Sequence, residues 1–291
     1  MASAAGQGAG GAAVTAGSAA PPADKWAAPN SMRGDALTDA YDALTRADYS
    51  NIQGIIAGID RYRDANPDNA YGYLYAGIFR LWAAADSGGA GLLAAPDIVT
   101  GTIENLSRAH EMLPNDFRAS GFLGVSQVLF GQLAAGLETL QESVDQFPEY
   151  GHFLRGYGTG SLASTDPNFK KYGVNDMVAD VGACMLETDA SGAWVYPKEG
   201  HPKYGQRVCT NAGIVPHVWE GWFMTFGDLA VKAGWSKERV SAVYRTAQNS
   251  PVYDQWPFKR DLEQRIANVM DGNPVNDAAV VGRICSSCHQ K

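Results

Sequence analysis

Long apolar runs are missing from this chain. Among its 291 residues no stretch of 18 is uninterruptedly apolar, so no segment has the make-up of a membrane-spanning helix. Basic charge is scarce as well: 23 Lys and Arg stand against 31 Asp and Glu, and a net charge of −8 provides no footprint for a nucleic-acid backbone. Ser-His-Asp, Walker and Rossmann patterns are absent. Gly156-Tyr157-Gly158 has no strand ahead of it and reads as helix packing. With only 4 cysteines and 5 histidines, each thiol and imidazole can be weighed individually. What is present is ample core material, since 45% of the residues are hydrophobic.

Residues 1–25 contain neither a basic n-region nor an apolar h-region, so no secretory signal is visible. The stretch from Ala2 to Ala23 is rich in Ala, Gly and Ser and ends just past Pro21-Pro22. It reads as a flexible tether over residues 1–30, with Met1 expected to stand where a signal or lipoprotein peptide was removed and an N-terminal tail with no such history as the alternative.

The body repeats internally. A small residue precedes a proline by 24 positions three times: Ala43 to Pro67, Gly124 to Pro148, and Gly227 to Pro251. Pro114 to Pro148 is one 34-residue period, with Leu123-Gly124 on its first helix, Gly136 on its second and Leu140 four residues later. Pro67 to Pro114 spans 47 residues, and the excess fits Ser87-Gly88-Gly89-Ala90-Gly91 as a lengthened turn. Ile52, Ile55, Ile56, Ile59 and Tyr62 form a helical stripe, as do Leu74, Ile78 and Leu81.

These features resemble the tetratricopeptide-repeat family, over some two-thirds of the chain and with degenerate motifs. The resemblance implies an all-α, tetratricopeptide-like helical-hairpin solenoid, whose concave groove binds peptides or other proteins. Repeats are expected over residues 31–164. A helix begins after Pro148, but no second helix is recognisable there, and a Gly/Pro/Tyr-rich stretch points to an irregular, loop-rich insertion over 165–215. A last pair near 217–233 and 236–249 and a closing helix from Lys259 to Met270 complete a segment over 216–274.

The most specific chemistry lies in the tail, residues 275–291. Cys285-Ser286-Ser287-Cys288-His289 is a C-x-x-C-H, in which two thiols add across porphyrin vinyl groups and the adjacent imidazole binds the iron. Asn276 can cap a short helix running into Cys285, which would put both thiols on one side. With Gly282-Arg283-Ile284 ahead of it, this tail resembles the haem-attachment helix of c-type cytochromes, implying one covalent haem c with His289 as proximal ligand. Small cytochromes c continue well beyond this motif and return with a Met ligand, whereas only two residues follow His289 here. The small cytochrome c fold is therefore not expected for the tail. A redox dithiol, or a zinc site completed by Cys184 or Cys209, are the alternatives.

The second iron ligand comes from upstream, from another chain or from water, or is lacking, which leaves the iron five-coordinate and open to ligand binding or peroxide chemistry. His217, in Val215-Pro216-His217-Val218-Trp219, sits in an apolar and aromatic setting and is the first candidate, followed by the loop residue His201 and by Met224. His110 reads as a helix C-terminal residue and His152 as the start of a helix. Cys184 and Cys209 are expected to pair as a disulfide in an oxidising compartment, with two buried free thiols as the alternative.

Together these readings predict a monohaem c-type cytochrome that transfers single electrons, with a non-enzymatic carrier favoured and the enzyme question left open. It would be periplasmic or extracellular, with a lipid anchor at the N-terminus as one form. A redox partner protein is expected, a peptide or protein in the repeat groove and a homo-oligomer remain open, and no nucleic acid is implied. The alternative is an extracytoplasmic repeat scaffold with a structural or sensory haem.

Overall fold

A computed structural model describes residues 36–40, 50–86, 96–184, 186–197 and 219–272. Eleven α-helices make up nearly all the regular structure among them: α1 (Ile52–Ala65), α2 (Ala70–Asp86), α3 (Pro96–Met112), α4 (Phe117–Leu129), α5 (Leu133–Gln146), α6 (Pro148–Gly160), α7 (Pro167–Lys171), α8 (Gly173–Ala183), α9 (Trp219–Lys232), α10 (Lys237–Gln248) and α11 (Lys259–Met270). Among the described residues there is no strand, only an isolated antiparallel bridge between Thr188 and Trp194. The chain is all-α over these residues.

Local chemistry sets the helix ends. The Asp116, Asp166 and Ser236 side chains accept from backbone N–H groups of the first turns of α4, α7 and α10, satisfying donors that the helix itself leaves unpaired. Pro148 and Pro167 occupy first-turn positions, where a missing N–H costs nothing. Gly131 and Gly234 both take positive φ, 86° and 75°, just after α4 and α9. The two hairpins α4–α5 and α9–α10 thus reverse direction by the same left-handed glycine device.

Packing follows chain order. Each helix from α1 to α6 lies against the next, α4 also touches α6, and α8 packs on α6 and more lightly on α9. The α9, α10 and α11 helices continue the series. The expected close approach of α4 and α5 is present: a β-carbon at Gly124 would lie 2.9 Å from the Gly136 carbonyl oxygen, and one at Gly136 would lie 2.9 Å from that of Gly124. The stripes through Ile56 and Ile59 and through Leu74, Ile78 and Leu81 are buried in one hydrophobic cluster that extends to Leu262. Each large side chain removed from water there contributes about 1.5–3 kcal/mol.

The stretch expected to be loop-rich differs in its first part, because residues 167–171 and 173–183 are helical. Val174, Met177 and Val181 form a buried stripe at helical spacing, and α8 is the partner helix that α6 lacks in the sequence reading. The two helices come close at Gly156, where a β-carbon would meet the Gly173 carbonyl oxygen at 2.9 Å. At Gly158 a β-carbon would instead meet Val125 and Leu140 at ordinary contact distance. Beyond α8, the described residues 186–197 have irregular backbone, and this segment is anchored: the Trp194 N–H donates to Thr246 Oγ1 at 2.9 Å, and Asn249 Nδ2 donates to the Trp194 carbonyl at 2.7 Å.

Candidate functional site

The tail carrying Cys285, Cys288 and His289 lies outside the described residues, as do His201, His217 and Cys209. Of the expected site residues, Met224 and Cys184 are described. Met224 lies on α9, buried in the core among the aromatic residues that surround that helix. Trp194 stacks on Phe226 at 5.4 Å between ring centroids, Trp219 and Phe223 are 4.5 Å apart, and Trp222 meets Phe223 edge-on at 4.6 Å. These spacings are those of favourable aromatic pairs. The Trp219 indole N–H donates to the Thr246 carbonyl at 2.7 Å, tying the start of α9 to α10.

Cys184 closes α8, its N–H donating to the Asp180 carbonyl at 3.0 Å, and its side chain is buried. It is disulfide-bonded, with its partner cysteine outside the described residues. An oxidised cysteine pair is the form expected of an oxidising compartment.

A polar cluster that sequence reasoning missed joins α6 to α8. Arg155 donates to both oxygens of Asp176, through Nε and Nη2, each at 2.8 Å. His152 Nδ1 lies 2.9 Å from Asp176 Oδ1. An ionised carboxylate only accepts, so the Nδ1 of His152 faces it as a donor. Arg155 is further fixed by Gln141 Oε1, to which Nη1 donates, and by the Tyr172 ring 4.4 Å from its guanidinium carbon. Burial opposes the Arg155 charge, and the Asp176 bonds outweigh it, so the guanidinium is held above its ordinary range. His152 and Asp176 are 24 positions apart on different helices. The one sequence signal was a pair of acidic residues, Asp176 and Asp180, set four apart beside the apolar stripe of α8.

One turn beyond Asp176, the Asp180 carboxyl is fully buried, and neither oxygen has a hydrogen-bond partner. Burial, then the nearby Glu149 and Asp176, push it well above the usual carboxylate range. A second buried carboxyl is satisfied: Asp228 Oδ1 accepts from the Tyr244 hydroxyl at 2.5 Å and from Arg265 Nε at 2.9 Å. Burial and the adjacent carboxylate push the Tyr244 hydroxyl up, so it stays a donor.

His110 is in the last turn of α3, as its sequence position implies, and its Nε2 faces Glu142 at 3.1 Å. Among the described residues no group of three or more His, Cys, Asp or Glu side chains is arranged to hold a metal ion, and no helix is long and apolar enough to cross a membrane. No protein-family profile, curated protein or solved structure matches the chain.

Proposed function

We propose that this protein is a monohaem c-type cytochrome: a one-electron carrier whose haem is held by thioether bonds from Cys285 and Cys288, with His289 as proximal iron ligand. The observation that carries this reading is the C-x-x-C-H at residues 285–289. The bound group would supply reversible ferric–ferrous exchange, its potential set by axial ligation, burial and nearby charge.

Two features of the described residues fit that group. Cys184 is engaged in a disulfide, which suits the oxidising setting in which haem c is attached and fits pairing with Cys209, leaving the two tail thiols for the porphyrin. The chain also offers an imidazole, His152, whose ring is held at Nδ1 by a buried carboxylate, a residue type that iron accepts as ligand. Met224 is a weaker ligand candidate, because its sulfur would have to be drawn out of the core of α9.

For the body, the proposal is a tetratricopeptide-like solenoid. The sequential hairpins, the glycine contacts between α4 and α5 and between α9 and α10, and the prolines after α3, α5 and α10 support it. Its role is to present the haem to a redox partner protein outside the cytoplasm.

The test is absorption and mass spectrometry of protein exported from cells with a haem-attachment system. The expected result is a Soret band and resolved α and β bands that survive acid-acetone extraction, and a covalent porphyrin adduct lost in Cys285→Ser/Cys288→Ser. Colourless protein containing zinc would overturn the reading in favour of a metal site.

A further inference from the structure

We propose that α8 is a proton-controlled latch: it stays docked on α6 while the Asp180 carboxyl is neutral, and it lifts from α6 with the release of that one proton.

Asp180 lies on the buried side of α8 with Met177 and Val181, is fully buried, and has no hydrogen-bond partner at either oxygen. An ionised carboxyl there would have neither water nor a donor, so the docked helix keeps the acid form. Asp228 shows the contrast. Buried almost as deeply, it receives the Tyr244 hydroxyl and the Arg265 guanidinium.

The helices packed on α8 are α6, α7 and α9. Burial first, then Glu149 of α6 and Asp176 of α8 itself, hold the Asp180 carboxyl well above its usual range. The α6 cation is engaged elsewhere: Arg155 binds both oxygens of Asp176 and is fixed by Gln141 and the Tyr172 ring, and His152 also faces Asp176. On α7, Lys170 and Lys171 are exposed; on α9, Lys232 donates to the Gly160 carbonyl and Glu220 is buried. Among the described residues, no cation acts on Asp180.

Relief in place is blocked by the packing. The β-carbon position of Gly156 is 2.9 Å from the Gly173 carbonyl oxygen, which leaves α8 no room to sink further into α6. The opposite face of α8 is open, because Asn175, Val178, Ala179 and Gly182 are exposed. Cys184, which ends the helix, is disulfide-bonded, so a lifted α8 remains tethered. Lifting returns Asp180 to water, where its carboxyl ionises at the ordinary value of 3.8. The lifted form then lacks a proton that the docked form holds, so lifting becomes up to about tenfold more favourable per pH unit above 3.8, until the docked carboxyl itself ionises.

The experiment is native-state hydrogen exchange of the full-length protein from about pH 4 to pH 7, corrected for base catalysis of exchange. Amides from Met177 to Val181 should be less protected than those of α4 and nearly insensitive to low urea, the mark of local opening. Their protection should fall with rising pH by up to about tenfold per unit. Asp180→Asn, neutral at every pH, should abolish the fall.

Two results on wild type overturn the proposal without any variant having to fold: α8 amides with the protection and urea dependence of α4, which report only global unfolding, or α8 protection that does not change with pH. A fall that persists in Asp180→Asn also overturns it, since the proton then belongs to another group.

Discussion

The Tyr244 hydroxyl donates to Asp228 Oδ1 at 2.5 Å, and its ring lies against the backbone of Gly227, the neighbouring residue on α9. A β-carbon at 227 would come within 2.7 Å of the ring's Cζ and closer still to two other ring atoms. The ring cannot retreat, because it is fully buried and its hydroxyl is held. Gly227→Ala should therefore cost about 1–3 kcal/mol from overpacking, although Ala favours a helix by roughly 1 kcal/mol. Gly182→Ala is the control. It is also helical, nothing lies within 4 Å of its β-carbon position, and the substitution should stabilise by up to about 1 kcal/mol. Urea denaturation of the two variants reads out both signs.

Arg265 reaches the same carboxylate from α11, so one ion pair ties the closing helix to α9. The Asp228 side chain is 1% exposed and that of Arg265 15%. Removing the cation leaves a buried carboxylate with only the Tyr244 hydroxyl. Arg265→Ala should cost about 3–5 kcal/mol. Asp228→Asn combined with Arg265→Leu should recover much of that loss, since an amide still accepts from Tyr244 and no buried charge remains. Thermal denaturation that is unchanged in Arg265→Ala would show that the pair does not fasten α11.

Much of this architecture was legible because small residues and prolines punctuate helix pairs. Phe226-Gly227 and Pro251 located α9 and α10 to within two residues, and the closing helix runs from Lys259 to Met270 as its pattern implies. Gly124 and Gly136 marked a contact between backbones, which only glycine permits at that distance. The α8 helix was missed because Gly182 stands 34 residues after Pro148, where the repeat would put its proline, and glycines and a tyrosine flank a stripe of only three apolar residues. The His152–Asp176 pair was invisible for a different reason. A polar pairing between two helices has no period, and Asp176 on paper is indistinguishable from a solvent-facing residue of an amphipathic helix.

Asp180 makes stability pH-dependent in an unusual sense. Its folded pKa is raised well above the ordinary value of 3.8, so in the window above about pH 3.8 the folded state holds a proton that the unfolded state has released. Native protein then binds more protons than unfolded protein, and the contribution of this group falls as pH rises through the folded pKa. At lower pH the carboxyl is neutral in both states and the penalty vanishes. Asp180→Asn, neutral throughout, should match wild type near pH 3.5 and exceed it at pH 7, flattening this part of the curve. Denaturation midpoints across that range test the claim, and parallel curves for wild type and variant would refute it.

Cys184 caps the helix that carries Asp176 and Asp180, so its disulfide bears on the geometry of the cluster as well as on stability. A bridge to Cys209 closes a loop of about 25 residues, for which chain entropy gives a stabilisation of about 3.5 kcal/mol. Cys184→Ser and Cys209→Ser should each lose that amount, and the double variant no more than either single one. On the haem c proposal, both should leave the covalent porphyrin in place, because the tail thiols are not involved. If Cys184 instead pairs with Cys285 or Cys288, Cys209→Ser will be neutral, and a non-reducing peptide map will link α8 to the tail. That linkage would remove a thiol from porphyrin attachment, so the peptide map bears on the disulfide and on the haem through the same four cysteines.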